Sequence, residues 1–75
     1  MKVQVEIAVN GQVYLTKKEE LPINMTLKGV ADILYDNIAK ANSYQSPLED
    51  GGFLVLGGDA LHSAAFKFNE VSETF

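Results

Sequence analysis

The stretch Thr26–Asn42, TLKGVADILYDNIAKAN, is the longest segment of the chain with a regular apolar period, and it predicts an amphipathic helix. At about 100° per residue, its apolar side chains fall within an arc of roughly 100°, the width of a core-facing stripe. This stripe consists of Leu27, Val30, Ala31, Leu34, Ile38 and Ala41. Thr26 is placed to cap the first turn, and Asp36 and Lys40 have the i, i+4 spacing of an exposed ion pair. The rest of the chain is therefore expected to form a sheet on one side of this helix.

One apolar residue of the helix, Ile33, lies about 110° from the centre of the stripe. Gly29 and Asn37 flank it at i−4 and i+4, so a narrow second stripe runs along the helix. In one interpretation, Ile33 is partly covered at the edge of its own core. In the other, Gly29 allows a second backbone to come close, and the helices of two protomers pair along Gly29, Ile33 and Asn37. The second interpretation predicts a homodimer, which would bury apolar area that a small domain cannot bury alone.

The N-terminal segment alternates apolar and polar residues, the pattern of a half-buried strand, and Asn10-Gly11 then signals a hairpin. A two-residue turn would place Val13 and Leu15 on the face opposite Val5 and Ile7. A three-residue loop with a bulge at the glycine would instead pair Ile7 with Val13 and Val5 with Leu15. Because this second register collects all four side chains on one face, the hydrophobic pattern favours the three-residue loop.

Two shorter strands are predicted after the helix. Tyr44–Leu48 contains Pro47, which would confine it to the edge of a sheet. After a turn at Asp50-Gly51-Gly52, the run Phe53–Leu56 is uninterruptedly apolar. Such a run is typical of a strand covered on both faces, or of one whose second face meets a partner. Leu54 and Leu56 are therefore candidate partner-binding residues, and a rival to the helix-mediated dimer would use this strand or the edge strand Tyr44–Leu48.

The C-terminal part is expected to hold a further turn and one more strand. Gly57-Gly58-Asp59 has the composition of a turn. Ala64–Val71 then reads as the last strand, with Phe66 and Phe68 on one face. The tail Ser72–Phe75 is expected to fray.

These elements predict a single α+β domain over residues 1–75, with one helix on a mainly antiparallel sheet of four or five strands in the order ββαββ(β). The layout is similar to a ubiquitin-like β-grasp: an N-terminal hairpin, a Thr-capped helix, then the apolar strand Phe53-Leu54-Val55-Leu56, a glycine turn and Leu61. The sequence ends in Ser-Glu-Thr-Phe and not in Gly-Gly. Conjugation or sulfur carrying through a C-terminal glycine is therefore not expected.

Length and composition restrict the class of protein further. A domain of 75 residues buries only about 60% of the surface of its unfolded chain, so a second subunit would add to its core. The absence of cysteine excludes disulfides, thiolate metal sites and a cysteine nucleophile, and it suits a reducing compartment. The N-terminal alternation is unlike a signal peptide, and no apolar run reaches membrane-spanning length. We therefore expect a soluble cytoplasmic protein that does not bind a membrane.

The charge balance argues against a nucleic acid partner. The chain has six lysines and no arginine against ten acidic residues, for a net charge of −4. Binding to a phosphate backbone depends on clustered Lys and Arg side chains, and this sequence shows no convincing basic stripe.

Few residues of the chain are candidates for catalysis or for binding a metal or an anion. His62 is the only histidine, and with Asp59 three residues before it, it would supply at most two of the three or four ligands that zinc requires. The glycine pairs in GGFLVLGGDALHS could hold an anion, but neither a Walker loop nor a Rossmann fingerprint is present. We therefore expect no catalytic residue, no metal and no cofactor. The alternative is a small-ligand site, for example for a nucleotide, in which Gly57, Gly58 and His62 line a pocket made by two subunits.

The leading hypothesis is a non-enzymatic interaction module that acts by binding another protein, including a second copy of itself. Small, acidic, cysteine-free domains without a recognisable group of catalytic residues occur among accessory, inhibitory and phage-encoded proteins. The competing hypothesis is a protein that binds or sequesters a small ligand such as a nucleotide. The shortage of cationic side chains weighs against a nucleotide.

Overall fold

The computed structural model, which describes residues 1–22 and 24–71, has an α+β fold. Its elements are β1 (Lys2–Val9), β2 (Gln12–Leu15), β3 (Glu19–Glu20), α1 (Leu27–Ala41), β4 (Ser43–Pro47), β5 (Phe53–Gly57), α2 (Gly58–Ser63) and β6 (Ala65–Val71). The predicted class of one main helix with antiparallel sheet is confirmed. The order differs from the prediction because β3 and α2 are additional elements. Ile23 and the tail Ser72–Phe75, which was expected to fray, lie outside the described residues.

β1 is the central strand of the larger sheet. β2 and β3 pair with it along one edge, and β6 pairs with it along the other, all antiparallel. β4 and β5 form a separate antiparallel hairpin. A single antiparallel bridge between Thr16 and Leu48 joins this hairpin to the end of β2. Beside the bridge, the Glu49 amide donates to the Leu15 carbonyl at 2.9 Å.

The register predicted for the first hairpin is wrong. Asn10 and Gly11 both have left-handed backbone conformations, with φ of 52° and 78°, and they form a two-residue turn that pairs Val9 with Gln12. Ile7 therefore lies opposite Tyr14 rather than Val13. Because side chains alternate along a strand, Val13 and Leu15 are on the outer face of the sheet, where Val13 is 60% exposed. The turn chemistry of Asn-Gly determines the register here, against the hydrophobic pattern.

Helix α1 begins and ends where the sequence predicts. The Thr26 hydroxyl accepts a hydrogen bond from the Gly29 amide at 3.0 Å, which satisfies one of the free donors of the first turn. At the other end Asn42 adopts the left-handed conformation, and its amide donates to the Ile38 carbonyl at 2.7 Å. The predicted stripe faces the sheet, but none of the residues Leu27–Ala41 is fully buried, and Ala41 is exposed. The helix thus lies against the sheet without being enclosed by it.

The hairpin of β4 and β5 confirms two predicted strands. Its turn is held by a hydrogen bond from the Gly52 amide to Asp50 Oδ1 at 2.9 Å, and Gly51 has a φ of 94°. β5 is not covered on both faces, because Leu54 and Leu56 point into the protein while the alternate residues are exposed. At the second glycine pair, where the sequence predicts a turn, the chain enters a short helix. Gly58 is the first residue of this helix, α2.

The core lies between the inner face of β1 and the elements β5 and α2. Its buried residues are Ile7, Val9, Leu56 and Leu61. Tyr44 and Phe66 pack against this cluster from β4 and β6. Since so few residues are fully buried, much of the apolar surface of the chain faces outward.

Candidate functional site

An open apolar cleft runs between α1 and β6, and we call it the α1–β6 cleft. It consists of two adjoining depressions of about 370 Å³ and 350 Å³. Tyr35, Ile38 and Phe66 line both of them. The first is completed by Ala31, Asp32, Leu34 and Phe68, and the second by Ala39, Asn42, Leu61, His62 and Ala64.

The cleft exists because α1 is only half covered. Leu34 and Ile38 on the helix, and Phe66 and Phe68 on β6, are each half-buried rather than buried. Tyr35 stands at the mouth with 76% of its surface exposed. Apolar side chains predominate along the cleft, and its polar groups come from a few residues at the margin. A surface of this composition suits an apolar side chain of a partner or an apolar small molecule.

Of the three residues predicted to line a two-subunit ligand pocket, one lines the cleft of the single chain, and the two-subunit pocket stays a prediction. His62 is exposed on α2 and lines the second depression of the cleft. Gly57 and Gly58 lie at the N-terminal end of α2 and do not line it. The lining residues include no lysine. The cleft therefore offers little to hold the phosphates of a nucleotide.

The second stripe predicted on α1, formed by Gly29, Ile33 and Asn37, is mostly exposed. Ile33 is 53% exposed and lines neither depression, and Asn37 is exposed beside it. A Cβ atom at Gly29 would lie 3.3 Å from the Thr26 hydroxyl oxygen that caps the helix, a close contact that a small shift of that side chain would relieve.

The outer face of β5 is a second exposed apolar surface. Phe53 is 62% exposed and Val55 is 61% exposed. Leu56, by contrast, is buried in the core, and Leu54 is half-buried against it. A partner that binds this strand in the folded protein would therefore contact Phe53 and Val55 rather than the predicted residues Leu54 and Leu56.

The first hairpin provides a third exposed apolar surface, which the sequence reasoning missed because it placed these residues in the core. Val13 and Leu15 line a shallow depression of about 220 Å³ at the corner where β2 meets Leu48 and Glu49. The signal that could have found it is the Asn10-Gly11 pair. Taken as a two-residue turn, this pair directs Val13 and Leu15 outward.

The outer edge of β6 is the other feature that the sequence reasoning missed. Within the described residues β6 pairs with β1, and its second edge has no strand beside it. This edge borders the α1–β6 cleft, since Phe66 and Phe68 of β6 line that cleft.

The charged groups of the described residues form surface ion pairs rather than a reactive cluster. Lys28 and Asp32 are 2.9 Å apart on α1, and Lys40 and the predicted partner Asp36 are 3.1 Å apart. Both pairs are exposed, so each contributes little to stability. In the part of the chain that the structure describes, no three His, Asp or Glu side chains are grouped as metal ligands. No described helix is long and apolar enough to cross a membrane.

The sequence matches no family model, and neither the curated proteins nor the solved structures contain a match to the chain.

Proposed function

We propose that this protein is a non-enzymatic binding module of the accessory or inhibitory kind, which binds other protein surfaces and associates with a second copy of itself. The observation that carries the proposal is the amount of apolar surface left uncovered. Among the described residues, six large apolar side chains are exposed, and they belong to three different parts of the fold. They are Val13, Leu15, Ile33, Tyr35, Phe53 and Val55. Scattered apolar residues are normal on a protein surface, but here Tyr35 lines the α1–β6 cleft, and Phe53 and Val55 lie together on the outer face of β5. Association with another protein surface would remove exposed apolar area from water, and each Å² of apolar area would contribute about 25 cal/mol.

The arrangement of polar groups favours binding over catalysis. His62 is exposed, and within the described residues it has no hydrogen bond or ion pair to a carboxylate or a hydroxyl group. A protein nucleophile such as a serine hydroxyl is activated by a base within hydrogen-bonding distance, and His62 has no such neighbour among the described residues.

Sedimentation velocity over a series of protein concentrations tests the proposal, with native mass spectrometry to fix the stoichiometry. We expect a dimer of about 16 kDa, twice the mass of the chain, whose population increases with concentration. A chain that remains monomeric at every concentration would contradict the self-association.

A second candidate function is the binding of a small apolar molecule in the α1–β6 cleft. The depression next to α2 has a volume of about 350 Å³, at the lower end of the roughly 300–1,000 Å³ of ligand sites. Asn42 and His62 provide polar groups beside its apolar lining. Fluorescence titration with an apolar dye tests this candidate. Dye binding that is lost in Tyr35→Ala and kept in Ile33→Ala would support it, because Tyr35 lines the cleft and Ile33 does not.

A further inference from the structure

The tip of the first hairpin joins an exposed asparagine to an exposed glycine. Asn10 and Gly11 have positive φ angles of 52° and 78°. A two-residue hairpin loop in which both residues have positive φ is a type I′ turn. Within the described residues, neither the Asn10 side chain nor the Gly11 amide takes part in a hydrogen bond. The two groups are therefore not held by other partners.

An asparagine followed by glycine is able to form a cyclic imide, because glycine has no side chain to hinder attack by its amide nitrogen. The Gly11 nitrogen attacks Cγ of Asn10, a carbon–nitrogen bond forms, and the Cγ–Nδ2 bond breaks. The amide proton leaves with Nδ2 as ammonia. Water then opens the imide at one of its two carbonyl groups. Opening at Cγ gives aspartate, and opening at the main-chain carbonyl gives isoaspartate, in which the main chain runs through Cγ.

The observed turn is one peptide rotation away from the geometry that this attack requires. In a type I′ turn the nitrogen of the second residue points away from the side chain of the first. In a type II′ turn the peptide between them is flipped, so that this nitrogen eclipses Cβ of the first residue. Both turns fit a two-residue hairpin loop, so the pairing of Val9 with Gln12 is kept. Asn10 already has the positive φ of the type II′ turn, and Gly11 tolerates either sign of φ.

The turn at Asp50-Gly51 has the opposite arrangement. An aspartate before glycine forms the same imide with loss of water. Here, however, the Gly51 amide donates to the Leu48 carbonyl at 3.1 Å. The carboxylate is also held, because Asp50 Oδ1 accepts from the Gly52 amide at 2.9 Å. The fold thus restrains the reacting groups in one of these turns and leaves them free in the other.

We propose that Asn10-Gly11 is a self-modification site, at which the folded hairpin converts Asn10 to aspartate and isoaspartate with water as the only co-reactant. Both products add a negative charge at the tip of the hairpin. Isoaspartate also adds one carbon atom to the main chain of the loop, which the two-residue turn does not accommodate. Among the described strands β2 pairs only with β1, so the longer loop weakens this pairing. The modification therefore acts on the exposed surface of Val13 and Leu15.

Ageing of the purified protein at mildly alkaline pH tests the site. Peptide mapping by mass spectrometry locates the replacement of the side-chain amide by a carboxyl group, and isoaspartyl methyltransferase labels isoaspartate. We expect conversion at Asn10 to be faster than at the other asparagines, which precede larger residues. These are Asn24, Asn37, Asn42 and Asn69. Asn10→Gly is the matched control, because Gly-Gly also favours a type I′ turn and lacks the reacting side chain.

The rate in the folded protein shows whether the turn itself reacts. Guanidinium denaturation gives the unfolded fraction, and ageing in guanidinium gives the rate of the unfolded chain. The product of the two is the rate expected if only unfolded molecules react. We expect the folded protein to react faster than this product, and about 5- to 150-fold slower than the unfolded chain, because the flipped turn strains the Asn10 backbone. A rate no greater than the product would overturn the proposal, as would equal labelling of Asn10→Gly and the wild type.

Thermal denaturation tests the effect on β2. The isoaspartate form is separated from the unmodified protein by anion exchange and compared with Asn10→Asp, which has the same charge and an ordinary main chain. We expect the isoaspartate form to unfold at a lower temperature. Equal unfolding temperatures would show that the longer loop leaves β2 in place, and would overturn the effect on Val13 and Leu15.

Discussion

The rings of Tyr44 and Phe66 meet edge to face, with centroids 5.2 Å apart and planes 82° apart. Tyr44 belongs to β4 and Phe66 to β6, two strands that do not pair with each other. The contact therefore folds the β4–β5 hairpin over the inner face of the larger sheet. Phe66 also lines the α1–β6 cleft.

We predict that Tyr44 and Phe66 are energetically coupled. In a double-mutant cycle with Tyr44→Leu and Phe66→Leu, the coupling should be about 0.5–1.5 kcal/mol, the range for aromatic pairs beyond their area burial. Urea denaturation at one fixed protein concentration measures it, since self-association adds to apparent stability. Free energies that add to within about 0.3 kcal/mol would show that the two rings act independently.

Thr16 is predicted to stabilise the corner between the two sheets through its hydroxyl group. Thr16 is only 4% exposed, and its Oγ1 accepts a hydrogen bond from the Val5 amide at 3.0 Å. Thr16→Val keeps the shape and leaves that amide without a partner, which should cost about 1–3 kcal/mol in free energy of unfolding. Thr16→Ser keeps the hydroxyl and is the matched control. If thermal denaturation shows valine to be tolerated as well as serine, the hydrogen bond is not important.

The sequence predicts some elements well because their signals are local. The cap at Thr26 and the apolar period fix the position of α1, and the glycines after Asp50 fix the β4–β5 turn. The register predicted for the first hairpin was wrong because two signals in the sequence conflict. The local turn preference of Asn10-Gly11 outweighs the gain from collecting Val13 and Leu15 on the core face. The predicted register required every apolar residue of the hairpin to face the core, and Val13 and Leu15 do not.

The hairpin register leads to a stability prediction. Leu56 is 6% exposed in the core, and Leu56→Ala should cost about 2–5 kcal/mol. Leu15 is 38% exposed on the outer face, so Leu15→Ala should cost less than about 2 kcal/mol. Chemical denaturation measures the free energy of unfolding of both variants, and so compares the same leucine-to-alanine truncation at a buried and at an exposed position. Equal losses would mean that Leu15 is inside the protein and would restore the three-residue loop.

The candidate binding surfaces were harder to predict, for a physical reason. A helical stripe shows which side of α1 faces the sheet, but it does not show how much of that side the sheet covers. Likewise, the alternation around Phe66 and Phe68 predicts a strand without showing whether one or both of its edges are paired. How much of α1 is covered, and which edges of β6 are paired, depends on how segments that are distant in sequence pack together. The apolar period of a single segment carries no information about that packing.

The last prediction concerns Ile33, because its substitution distinguishes a dimer formed through the helix from one formed through another surface. Ile33 is 53% exposed and lies outside the α1–β6 cleft, so Ile33→Glu should change the free energy of unfolding by no more than about 0.5 kcal/mol. If the second copy binds at a surface other than this side of α1, the variant should sediment as the wild type does. Ile38→Glu is the matched control on the same helix, because Ile38 lines both depressions and packs against the core, and it should destabilise the fold. A folded Ile33→Glu protein that is monomeric where the wild type is dimeric would instead place Gly29, Ile33 and Asn37 at the interface.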